Sequence, residues 1–104
     1  MKSQLHVLFI GKDNTVRSVF AEAILDYKIH RSGLGTQFTC SSCGTDALAR
    51  VPAPKNVQLY VKRHGLDVSA KQALMITHQM VDDSDIVLTM DSNIHEYMLN
   101  KYKM

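Results

Sequence analysis

The chain has 104 residues and a mass of 11.7 kDa, a length that suits one small domain over residues 1–104. Hydrophobic residues make up 45% and charged residues 21%, close to the average for soluble globular proteins, which excludes a disordered tail. Twelve Lys and Arg against ten Asp and Glu leave +2 without a basic run, so charge gives no support to nucleic acid as a partner. The longest apolar stretch, Val7 to Ile10, is far too short to span a membrane, and no signal-peptide pattern opens the chain. Two cysteines, Cys40 and Cys43, do not make the disulfide framework of a secreted mini-protein, so the expected compartment is the cytosol.

Leu5-His-Val-Leu-Phe-Ile10, ending at Gly11, suits a strand buried on both faces. A polar loop, Lys12-Asp-Asn-Thr15, follows. Val16, Phe20, Ala23, Ile24 and Tyr27 recur at helical spacing and predict a helix from about Arg17 to His30, broken by Ser32-Gly-Leu-Gly35. Gln37 to Ser42 is the second expected strand, closed by Gly44 and a loop with Pro52 and Pro54. Pro54 then opens a second helix whose inner face carries Val57, Tyr60 and Val61, and Gly65 stops it in a left-handed cap. A short, weakly patterned helix is expected around Thr77 to Asp83, and a third strand over Asp85 to Met90. Ser92 is the expected cap of a last helix using Ile94, Tyr97, Met98 and the stem of Lys101. Strands alternating with helices imply parallel pairing, right-handed crossovers and an open, doubly wound sheet. Ligands in such sheets sit at the carboxyl ends of the strands, here the loop after Ile10.

That loop carries the strongest chemical signal. A strand, a tight polar turn and a helix start gather unsatisfied N–H donors and the positive end of a helix dipole around one point, which favours an oxyanion. Arg17 adds a guanidinium suited to two-point contact with phosphate. The spacing matches neither a Walker loop nor a dinucleotide fingerprint. On spacing alone the signal is weak, and an ordinary strand-to-helix turn with a surface arginine accounts for it more simply.

Val7-Leu-Phe-Ile10, Asn14, Arg17-Ser18 and Ala21-Glu22 resemble the opening of the low-molecular-weight protein tyrosine phosphatases, a strand followed by x-G-N-x-C-R-S and A-E. Ser42-Cys43-Gly44-Thr45 looks like that family's S-A-G-T, and Lys62 to Ser69 resembles its K-R-H-G-I segment. Thr77 and Asp85 to Asn93 resemble its D-x-I-L-x-M-D-x-S-N stretch, so the likeness covers nearly the whole chain in one order. The resemblance implies a flavodoxin-like, doubly wound three-layer sandwich, here with a small parallel sheet of three strands in order 2-1-3. It further implies a phosphate-binding loop formed by Lys12, Asp13, Asn14, Thr15, Val16, Arg17 and Ser18, supported by Ser42.

The departures bear on catalysis. Gly11 stands where the family has its nucleophilic cysteine, and glycine offers no atom for a phosphocysteine intermediate. Val16 replaces the second loop cysteine, Asp13 puts a carboxylate where a loop glycine is usual, and Lys71 takes the place of a histidine that buttresses the loop. The chain stops at Met104 and holds no Asp-Pro pair, whereas the family's general acid lies on a D-P loop between a fourth strand and a further helix. The resulting expectation is a catalytically inactive member, a pseudophosphatase, that binds phosphate or a phosphorylated partner. Without a fourth strand, the third strand to Met90 becomes an apolar edge and a surface for a homodimer or protein partner.

Two other readings stay open: a weakly active phosphatase or arsenate-reductase-like thiol enzyme using Cys40 or Cys43, and an interaction module with a vestigial loop. Cys40-Ser-Ser-Cys43 straddles a strand end with no helix start at Cys43, so two packed thiols are the simpler account. Zinc would need two more suitably spaced ligands, and no metal or cofactor is expected. His6, His30, His64, His78 and His95 are scattered as surface or helix-end residues. Met75, Met80, Met90 and Met98 are expected to fill the core, and Asp82 to Asp85 to form a solvated loop.

Overall fold

The computed structural model describes residues 4–102. Its elements in chain order are β1 (Leu5–Gly11), α1 (Arg17–Arg31), β2 (Phe38–Gly44), α2 (Lys55–Arg63), α3 (His78–Asp82), β3 (Ile86–Thr89) and α4 (Ser92–Tyr102). The strands form one parallel sheet in the order β2-β1-β3, as the alternating pattern and the family resemblance implied. Leu5 to Gly11 align with Phe38 to Gly44, and Val7 to Ile10 align with Ile86 to Thr89.

Strand alternation divides the apolar residues between the two faces. Leu8, Ile10 and Cys43 point to one side and bury with Ile76, Ile94 and Met98, under α3 and α4. Val7 and Phe9 point to the other, where α1 packs on β2 and β1. Val19, Ala53, Val61 and Val68 form a second cluster that joins α1 to α2. Burying Leu8 and Ile10 completely contributes about 1.5–3 kcal/mol each.

Several local expectations are corrected. The inward side of α1 carries Ser18, Val19, Glu22 and Ile29, while Val16 is 41% and Tyr27 44% exposed. The stripe expected from Val16 and Tyr27 is displaced because α1 serves two neighbours. Val19, Phe20 and Ala23 meet the α2 cluster, and the side towards the sheet holds the polar Ser18 and Glu22. On α2 Val61 is buried, but Tyr60 is 54% exposed and lies on the rim against the rings of His64 and Phe20. Met98 is a core residue as expected, whereas Met75 is largely exposed. The cap of α4 is Asp91, whose Oδ1 accepts from the Ile94 N–H at 2.9 Å, and Ser92 is already helical. Asp82 ends α3 and Asp85 accepts from the His6 N–H at 2.7 Å, so the acidic cluster is not a free loop. His6 is part of the sheet: its ring bridges Thr39 Oγ1 at 2.6 Å and Ser41 Oγ at 2.7 Å.

The helix stops follow backbone chemistry. Gly65, at φ 82°, sends its N–H to the Lys62 carbonyl and places the Leu66 N–H on Val61, which closes α2 with the paired bonds of a Schellman cap. Gly44 is required for a different reason. A Cβ there would fall onto the Lys12 carbonyl oxygen and 3.0 Å from the Asn14 nitrogen. Gly44→Ala is therefore expected to displace the loop after β1 and cost about 1–3 kcal/mol. Gly35→Ala, whose Cβ meets only His30 at 3.7 Å, should stay within about 0.5 kcal/mol. Urea midpoints of the two variants check this, and equal midpoints would refute the contact argument.

Candidate functional site at the end of the first strand

Residues 11–18 wrap around a small cavity of about 60 Å³, lined by Gly11, Lys12, Asp13, Asn14, Thr15, Val16, Arg17 and Ser18. All seven residues expected to form a phosphate loop thus line one cavity. Their contributions differ, because some side chains build the loop and others face solvent.

Asn14 is the builder. It is 4% exposed and sits at φ 56°, a left-handed conformation that asparagine tolerates better than most residues. Its side-chain Nδ2 donates to Ser18 Oγ and to Ser42 Oγ, both at 2.9 Å, and its Oδ1 accepts from the Leu74 N–H at 2.8 Å. Ser42, expected as loop support, donates onward to Glu22 Oε1 at 2.6 Å, and Glu22 Oε2 is paired with Lys71 Nζ. Lys71 therefore supports the loop through Glu22. Glu22 was part of a matching motif but had no expected role. The signal for it was a carboxylate on the buried side of α1, a position that demands a partner.

Carbonyls and amides of the loop are sorted to opposite sides. The Gly11 and Lys12 carbonyls accept from the Thr45 and Asp46 N–H groups at 3.0 and 2.9 Å. The N–H groups of Asp13 to Ser18 donate to no acceptor among the described residues, and α1 opens at Val16 without a side-chain cap. A row of uncommitted amides at a helix start is a ready receptor for a tetrahedral oxyanion. Arg17 stands at its mouth, 52% exposed and held by Asp91 at 3.0 Å. Lys12 and Asp13 are exposed, with opposite charges at the entrance, and Val16 presents an exposed apolar rim.

The position at the base of the loop has no side chain. A Cβ on Gly11 would lie 3.0 Å from Ser18 Oγ and 3.2 Å from Ser18 Cβ. Neither cysteine compensates. β2 runs through Gly44, so Cys40 and Cys43 are both strand residues rather than a strand-end pair, and at a separation of three they point to opposite faces. Cys40 donates to the Glu22 carbonyl and Cys43 is fully buried in the core under α4. Burial pushes the Cys40 thiol up to about 11, with the charge of Glu22 adding to it, and pushes Cys43 up to about 12. Both are protonated thiols at neutral pH, and neither lines the loop cavity.

The sequence profile of the family described as low molecular weight phosphotyrosine protein phosphatase matches residues 6–104. The chain belongs to that family. It is 29% identical over 96 residues to the low molecular weight phosphotyrosine protein phosphatase of Schizosaccharomyces pombe, an alignment spanning 89% of this chain and 60% of that protein. It superposes on the low molecular weight protein tyrosine phosphatase of T. tengcongensis with a TM-score of 0.88 at 27% identity, over 97% of this chain and 68% of the other. Bacillus subtilis YfkJ gives 0.89 at 26% identity, over 95% and 63%. The chain thus spans about 60% of the length of the yeast relative. Among the described residues no helix is long and apolar enough to cross a membrane.

The arginine anchor yields a pH prediction. The Ile94 amide, and then Arg17, hold the Asp91 carboxyl below its ordinary value of 3.8. Because the folded value lies below the unfolded one, this stabilisation is fully present above the unfolded value and is lost as pH falls through the folded one. Thermal melts at about pH 6 and about pH 3 should show the native chain losing more stability than Asp91→Asn over that interval. Equal losses would remove Asp91 from the account.

Proposed function

We propose that this family member is catalytically silent and uses the loop of residues 12–18 to hold phosphate or a phosphorylated residue of a partner, in the cytosol. The observation that carries this reading is Gly11: the base of the cradle has no side chain there to supply a thiolate, while the loop amides and the Arg17 guanidinium at the mouth remain. Asn14, Ser18 and Ser42 keep the loop shape, so the receptor for an anion remains while the group that would attack phosphorus is absent. A thiol enzyme is disfavoured because Cys40 and Cys43 are protonated and lie outside the cradle. Free thiols on opposite faces of the sheet also suit a reducing compartment.

An NMR titration of the protein with phosphate and then phosphotyrosine, run beside a phosphatase assay, tests the reading. Amide shifts confined to Lys12–Ser18, abolished by Arg17→Ala and unaccompanied by turnover, are expected. Asp13→Asn should tighten phosphate by about threefold by removing a like charge at the entrance. Turnover lost with Arg17→Ala would mean that another nucleophile serves. Absence of shifts would make the loop a scaffold.

A second reading, an interaction module, is favoured by one observation. Ile86 and Leu88 are each 44% exposed on the α1 side of β3, and the outer edge of β3 pairs with no strand among the described residues. An apolar, unprotected edge of this kind favours pairing with another chain, and a second copy is the simplest occupant. Sedimentation at high protein concentration should then show a dimer that Leu88→Lys dissolves, and a monomer throughout would rule the dimer out.

A further inference from the structure

We infer that the Ser18 hydroxyl forms the floor of the anion site and selects a free tetrahedral oxyanion, such as inorganic phosphate, over a phosphate ester. The inference rests on reading residues 12–18 as an anion cradle. Ser18 is 1% exposed, yet it lines the cavity inside the loop. Its Oγ accepts from Asn14 Nδ2 at 2.9 Å, and its own hydroxyl proton has no acceptor among the described residues. A donor buried that deeply and left unused is costly, so the position calls for a partner. Gly11 shows where that partner fits. A Cβ on Gly11 would come 3.0 Å from Ser18 Oγ, which puts the oxygen at the edge of the space that a side chain at position 11 would fill. Glycine leaves that space to whatever the loop holds.

The cavity thus carries donors of two kinds. The N–H groups of Asp13 to Ser18 are uncommitted, and the Ser18 O–H is a further donor at the base, beside Gly11. A free oxyanion has an acceptor oxygen at each of its four vertices, so one can meet the base while the others meet the amides and Arg17. A monoester has one vertex fewer to offer, because its bridging oxygen carries carbon and accepts poorly. With its substituent leaving through the mouth, the ester gives up the base; with an oxygen turned to the base, it gives up an amide. Nothing offsets that loss. No aromatic ring lines the cavity, and the apolar side chain that does, Val16, is 41% exposed.

Binding of inorganic phosphate and of phenyl phosphate, both as dianions and followed by amide NMR, tests this in native protein, Ser18→Ala and Gly11→Ala. Native protein should bind phosphate about tenfold more tightly than phenyl phosphate, the effect of one further hydrogen bond to an anion. Ser18→Ala removes the donor, and Gly11→Ala puts a methyl group into the base. Each should lower the affinity for phosphate to that for phenyl phosphate and leave the latter within about twofold. A serine that only shapes the loop would weaken both anions alike on substitution, and that result would overturn the inference while the cradle stands. Phenyl phosphate bound by native protein as tightly as phosphate would overturn it equally, with no variant needed. If Ser18→Ala does not fold, Gly11→Ala decides by the same ratio. A native protein that responds to neither anion would show that residues 12–18 are no cradle, and the inference would fall with that reading.

Discussion

One buried amide holds the carboxyl end of the sheet together. Asn14 uses both protons of its side-chain nitrogen and its oxygen to tie the loop after β1 to α1, to β2 and to the segment preceding α3. A polar group buried to this extent is costly when unsatisfied and specific when every bond is made, so it selects one arrangement of four chain segments. The parallel sheet makes this possible, because it delivers the carboxyl ends of β1 and β2 side by side. Gly44, at the end of β2, lets the loop backbone close onto it, and the loop carbonyls are then taken up by Thr45 and Asp46.

The same demand explains why the core is divided. Ser18 and Glu22 occupy the side of α1 that would otherwise carry aliphatic residues against the sheet, so α1 gains its apolar contacts from α2 and from Ile29 near its far end. The cluster under α3 and α4 is free of this constraint and holds the most completely buried strand residues, Leu8 and Ile10. One face of the sheet thus supplies cohesion, and the other gives up part of its packing to keep a loop of free amides in shape.

Much of the architecture was legible in the residues. The apolar runs of β1 and β3, the glycine stop of α2 and the helix starting at Arg17 follow from local pattern, and their alternation dictates the parallel sheet. Legibility failed where a residue answers to a distant neighbour. Tyr27 and Tyr60 look like core residues by spacing, yet both stay about half exposed, with no element among the described residues covering them. Ser92 is a reasonable cap in isolation, but Asp91, already drawn in by Arg17, takes the Ile94 amide. β2 extends to Gly44 because Gly11 pairs with it, a register that no local signal contains. In the site, family resemblance marked Asn14, Arg17, Ser18, Ser42 and Lys71. The part played by Glu22 required the geometry, since its partners lie 20 and 49 residues away.

The distribution of sulfur has a consequence for the environment in which the loop operates. Phosphoryl-transfer sites built on a low-pKa thiolate are silenced by peroxide, which oxidises the thiolate before other side chains. Here the loop contains no sulfur, Cys43 is sealed in the core, and Cys40 is held protonated against α1. With the two thiols on opposite faces, an internal disulfide is geometrically barred as well. Peroxide therefore finds no thiolate to oxidise on the wall formed by residues 11–18.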